Sequence, residues 1–176
     1  LEREESLRFR GDKKISPDQS LTDLVFHRLD LNFIGSDPEC KIISSNPSSD
    51  YVNYYTTGTP VAGATTVRSY NSVTYKNIYP QIDLEFITDV VSGVKYNFVV
   101  HPGGRVSDVK LKISGTQADL TSSGSILLKS DLGDVREEIP ESFFYDSKNK
   151  TYLKARFSKL TDGSFGIVSD REIPPE

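Results

Sequence analysis

The stretch Ser72–Gly104, SVTYKNIYPQIDLEFITDVVSGVKYNFVVHPGG, confines this chain to β structure more firmly than any other. Ile82, Leu84 and Phe86 alternate with Asp83 and Glu85, and Val94, Tyr96, Phe98 and Val100 alternate with Lys95 and Asn97. A period of two gives each segment one apolar and one wet face, the signature of a strand and not of a helix. The intervening Thr88–Gly93 is polar and contains a glycine, which suits a hairpin loop longer than two residues. Pro80 before the first strand and Pro102-Gly103-Gly104 after the second mark where pairing stops.

The same pattern recurs along the chain. Leu24–Ile34 reads as a long strand with Leu29, Leu31 and Phe33 on one face and Arg28, Asp30 and Asn32 on the other, His27 lying within it as a half-exposed strand histidine. Lys41-Ile42-Ile43 predicts a short strand that stops at the polar, proline-containing Ser44–Asp50. Thr66–Tyr70 and Val73–Tyr75 lead into the central hairpin. Val109–Ile113 alternates next, and Ala118–Leu120 and Ser125–Lys129 flank Ser122-Ser123-Gly124 as a second hairpin. Val135–Ile139, Glu141–Tyr145, Thr151–Leu160 and Ser164–Val168 complete the set. About a dozen short strands with turn signals at roughly 8–12 residue intervals predict an all-β fold, an antiparallel β-sandwich with its dry faces paired. A single domain over 24–170 is expected, with a lead-in over 1–23 that includes a short strand at Leu7–Arg10, and a linker over 171–176 containing Pro174-Pro175.

A chain of 176 residues can bury a core without covalent staples. Its net charge of −4 and lack of a basic stripe exclude general nucleic-acid binding. No apolar run approaches the roughly 20 residues that span a bilayer, so direct membrane insertion is not expected. Cys40 is the only cysteine, which excludes an intramolecular disulfide or a thiolate metal cluster. The opening Leu1-Glu2-Arg3-Glu4-Glu5 and the absence of methionine lead us to expect an internal or processed piece of a longer protein.

Candidate chemistry is sparse. Tyr51, Tyr54 and Tyr55 could stack on sugar rings, or serve as amphipathic residues at the core edge. The glycine- and proline-containing Thr56–Thr65 beside them reads as a loop and a candidate binding edge. Asp83-Leu84-Glu85 is similar to the acidic run of family-18 glycosidases, with two carboxylates on one strand face roughly 6–7 Å apart. The terminal acid of that run is replaced by Ile87, and solvated strand carboxylates are the plainer reading. His101 precedes Pro102-Gly103-Gly104 in a turn rather than an oxyanion-hole loop, and Arg10-Gly11-Asp12 matches the integrin tripeptide at a plain turn. Asp131 with Asp134, or Asp146 with Asn149, are the places for calcium, but neither run has EF-hand spacing. No catalytic residue, metal site or cofactor is assigned.

Tyr75-Lys76-Asn77-Ile78-Tyr79-Pro80-Gln81-Ile82-Asp83-Leu84 and Tyr96-Asn97-Phe98-Val99-Val100-His101-Pro102-Gly103 together resemble an uncharacterised bacterial domain family. That family is found near the N-terminus of large surface or secreted proteins, ahead of SBBP repeats, PKD-type domains or gliding-motility-associated sorting domains. Asn53-Tyr54-Tyr55, Asp108–Ile113 with Gly115, and Gly133-Asp134-Val135 with Glu138 and Pro140 extend the resemblance over roughly 24–173. Gln81 departs from it, replacing the usual glycine, and the tryptophan common after the NYY run is absent. The resemblance implies an exported, extracellular or cell-surface β domain of Bacteroidota type with type IX secretion, and it transfers no catalytic residues. The expected function is a non-catalytic module for domain display, docking or adhesion. Its partners would be neighbouring domains of the same polypeptide, surface proteins or glycans. A carbohydrate-binding module using Tyr51, Tyr54 and Tyr55 is the alternative, and a glycoside hydrolase using Asp83 and Glu85 is the remote one.

Overall fold

The computed structural model describes residues 25–89, 93–146 and 149–171. Where the sequence alternates, the backbone is extended. The strands in order are β1 (Asp30–Phe33), β2 (Lys41–Tyr54), β3 (Ala64–Tyr79), β4 (Ile82–Asp89), β5 (Gly93–Val100), β6 (Lys110–Ser114) and β7 (Ala118–Leu120). They continue as β8 (Ile126–Leu128), β9 (Val135–Glu137), β10 (Ser142–Asp146), β11 (Asn149–Leu153), β12 (Ala155–Lys159) and β13 (Phe165–Ser169). One 3-10 turn, Val106–Asp108, is the only helical element among the described residues.

Two four-stranded antiparallel sheets dominate, ordered β2-β3-β4-β5 and β1-β6-β13-β12, with a three-stranded β7-β8-β9 and a β10-β11 hairpin beside them. The central hairpin has the register the alternation predicts: Ile82 faces Val100, Leu84 faces Phe98 and Phe86 faces Tyr96. The apolar face this creates is dry. Phe33 of β1 meets Tyr96 and Phe98 edge-on at centroid distances of 6.2 and 5.7 Å, locking one large sheet to the other. Ile82, Leu84, Leu111, Ile126, Phe157 and Phe165 form the centre of the core. The Tyr79 hydroxyl crosses between the sheets, donating to the Ile34 carbonyl at 3.1 Å. The all-β architecture and packed antiparallel sheets are those the sequence implies.

Four local expectations are corrected. First, β1 covers only Asp30–Phe33, so His27 is not in a strand. Its exposed ring donates from Nε2 to the Gly115 carbonyl at 2.9 Å, and its Nδ1 lies 3.3 Å from the Ser130 hydroxyl. Second, β2 continues through Ser44–Asp50 instead of stopping, because β2 is an edge strand, where Pro47 interrupts no central ladder. Third, Thr66–Tyr70 and Val73–Tyr75 belong to one strand of 16 residues. Fourth, Thr151–Leu160 is two strands: Leu153 pairs with β10 and Ala155 with β13. The switch at Lys154 is held by Asp170, whose carboxylate accepts the Lys154 N–H at 2.8 Å while its own N–H donates to the Lys154 carbonyl at 3.0 Å. Cys40 is half-buried against the core. The lead-in strand Leu7–Arg10, the Arg10-Gly11-Asp12 tripeptide and the 172–176 exit lie outside the described residues.

Candidate functional site

Two places stand apart from the core: a buried carboxylate where the two long motifs meet, and a two-stranded arm that carries the tyrosines.

Asp83 is not the solvated strand carboxylate its wet-face position implied. It is 2 % exposed. The cause is a bulge in β3: Tyr75 pairs with Leu84 and Tyr79 with Ile82, so three residues, 76–78, stand opposite Asp83 alone. The extra length turns Asn77 to a left-handed φ of 52° and brings its N–H to Asp83 Oδ1 at 2.8 Å. Lys76 reaches Oδ2 with its ammonium, and His101, entering from the end of β5, lies 2.7 Å from the same oxygen. An ionised carboxylate only accepts, so Nε2 of His101 carries the proton in that bond. Burial pushes the Asp83 carboxyl upward, but the hydrogen bonds from Lys76, His101 and the Asn77 N–H outweigh it and hold the pKa at about 2. Such a group stays ionised at neutral pH and has no proton to give as a general acid. Glu85, its proposed companion, accepts from the Ser72 hydroxyl at 3.2 Å. Both carboxylates are thus engaged in tying β3 to β4.

The adjoining turn explains a departure in the motif. Pro80 and Gln81 link Tyr79 to Ile82, and Gln81 has a φ of 58°. Proline followed by a left-handed residue is the type II arrangement, which glycine occupies with least strain. The glycine that the motif resemblance leads one to expect would suit this geometry, and Gln81 sits there with strain.

The arm is built from β2 and β3. Asn71 is held at its carbonyl by the Thr88 hydroxyl at 3.2 Å, and beyond it β3 has only β2 beside it among the described residues. The ribbon is irregular: register shifts fall between Pro47 and Tyr51 and between Val52 and Tyr54. Polar groups close these bulges. Arg68 donates to the Ser48 and Ser49 carbonyls at 2.7 and 3.0 Å, and Asn53 Oδ1 accepts the Thr66 N–H at 2.7 Å. Thr66 itself has a φ of 58°, a rare conformation for a β-branched residue. Tyr51, Tyr54 and Tyr55 are 55, 46 and 70 % exposed, so they are not core-edge residues. Val52 and Val67, paired across the ribbon, are exposed as well. An isolated two-stranded ribbon is marginal in water and normally hides its apolar residues, so the apolar exposure of this arm is unusual.

The remaining candidates fall elsewhere. Asp134 is engaged by the Lys129 ammonium at 2.7 Å. Among the described residues no group of three or more His, Cys, Asp and Glu is placed to hold a metal ion. No helix among them is long and apolar enough to cross a membrane. Sequence reasoning missed the Asp83–His101–Lys76 cluster, although its members lie in or beside the two motifs that carry the family resemblance.

The family described as "Domain of unknown function (DUF7948)" matches residues 2–171. The chain belongs to the DUF7948 family. The "Wall-associated protein" of Geobacillus stearothermophilus is 38 % identical over 78 residues, which is 44 % of this chain and 30 % of that relative. This DUF7948 domain thus matches less than a third of that relative's length. No solved structure matches it.

Proposed function

We propose that this DUF7948 domain is a non-catalytic module of a cell-surface protein, and that it docks to other surface components through the β2–β3 arm. The observation that carries this reading is the arm: a bulged ribbon that exposes Tyr51, Tyr54 and Tyr55 together with Val52 and Val67. The name of the Geobacillus relative supports a wall setting. The engagement of Asp83 and Glu85 in β3–β4 contacts favours a structural over a hydrolytic role for both. The finer setting, ahead of SBBP repeats or gliding-motility sorting domains in a Bacteroidota protein, belongs to this reading through the motif resemblance.

Exposure of the three rings also favours a narrower version, in which the arm binds wall glycan by stacking. Cosedimentation of the purified chain with bacterial cell walls tests the docking role. The chain is expected in the pellet, and Tyr51→Ala combined with Tyr54→Ala is expected to reduce the bound fraction at least tenfold. No cosedimentation, or equal cosedimentation of the variant, refutes it. For the glycan version, thermal unfolding with an oligosaccharide panel is decisive: a ligand at a hundred times its Kd adds about 2.7 kcal/mol, a readily measured rise in Tm.

A further inference from the structure

A groove of about 940 Å³ runs between β5 and the segment Glu137–Tyr145. The way each strand lines it is informative. β5 contributes every residue from Tyr96 to Val100, and β10 every residue from Ser142 to Tyr145. A strand that turns its face to a cavity contributes alternate residues, as Ala155 and Phe157 do on the floor. Consecutive contribution means that the strands present their edges. Among the described residues, β5 ends its sheet and β10 pairs only with β11.

The edge of β5 turned away from β4, unpaired among the described residues, has a defined polarity. His101 N–H donates to the Gln81 carbonyl at 2.8 Å, continuing the β4–β5 ladder. In an antiparallel ladder the paired positions alternate, so Val99 and Asn97 also face β4. Tyr96, Phe98 and Val100 then direct their backbone N–H and C=O groups toward the groove. Unpaired backbone beside an apolar floor is suited to an added strand and poorly matched to a small ligand. The charge is one-sided: Glu85, Glu137, Glu138 and Glu141 line the groove, against Arg105.

We propose that the groove accepts one extended segment of another polypeptide, in which apolar residues alternate with lysine or arginine, and that this segment adds as a strand to the edge of β5 turned away from β4. The apolar side chains would lie over Phe157 and its neighbours while the basic ones meet the glutamates. A five-residue edge offers about 17 Å of ladder, enough to fix a register.

The test uses the full chain and a fluorescent ten-residue peptide alternating leucine or phenylalanine with arginine. Saturable binding is expected. It should weaken at least tenfold when glutamate replaces arginine, and when the chain carries Glu138→Lys with Glu141→Lys, two exposed positions whose change leaves the core intact. Two peptides N-methylated on opposite sets of alternate residues report on the ladder, and at least one should lose tenfold. Failure of the full chain to bind the arginine peptide overturns the proposal. So does equal binding of the glutamate peptide, or of both N-methylated peptides.

Discussion

Replacing Asp83 by asparagine removes the charge on which Lys76, His101 and the Asn77 N–H converge, while keeping the shape of the side chain. Its pKa falls from 3.8 to about 2 on folding, equivalent to about 2–3 kcal/mol at neutral pH. Breaking a fully buried pair costs about 3–5 kcal/mol, but the Lys76 and His101 side chains are each 38 % exposed and recover some hydration, which argues for the lower figure. The sign follows from the depressed folded-state value. The contribution is complete above the unfolded-state pKa near 4 and is lost as pH falls through about 2. Urea unfolding of the wild type and Asp83→Asn should differ by about 2–3 kcal/mol at pH 7, a midpoint shift of about 1 M. By pH 3 the gap should shrink to about half. A difference below about 0.5 kcal/mol at pH 7, or one that stays constant down to pH 3, would show that the cluster does not hold β3 to β4 as argued.

Gln81→Gly should stabilise the domain by about 0.5–1 kcal/mol in the same assay, because it relieves a left-handed backbone at the Pro80 turn. Loss of stability would mean that the Gln81 side chain contributes more than its backbone costs. The Tyr96 phenol, raised above the ordinary tyrosine range by burial and by its 2.7 Å hydrogen bond to Glu137, should stay protonated while exposed tyrosines ionise. Alkaline titration at the phenolate absorbance should therefore have the same native-state amplitude in the wild type and in Tyr96→Phe. A smaller amplitude in the variant would contradict that burial.

The central hairpin was legible because its alternation is strict and both ends carry proline, and the second hairpin because Ser122-Ser123-Gly124 separates two apolar runs. The fate of Asp83 was not legible: period-2 reasoning puts it on a wet face, and only the three-residue bulge opposite it covers that face. Lys154 hides a change of sheet partner inside an unbroken alternation, since the switch depends on the distant Asp170. Pro47 looks like a strand stop in the sequence because the edge position of β2 is a property of the assembled sheet. For Tyr51, Tyr54 and Tyr55, sequence identified the residues without their exposure, which depends on where β4 ends relative to β3. The β5 groove could not be read at all, because its walls are 40 residues apart in the chain.

Hydrogen exchange of the full chain with and without bacterial cell walls tests the docking role of the arm most directly. The account predicts that amides of Pro47–Tyr70, on a ribbon with few buried contacts, exchange quickly in the free chain and become protected when walls are added. Amides of Ile82–Leu84 should be slow in both states. Protection that leaves the arm unchanged, or that appears only in another part of the domain, would contradict the assignment of the β2–β3 arm as the docking element.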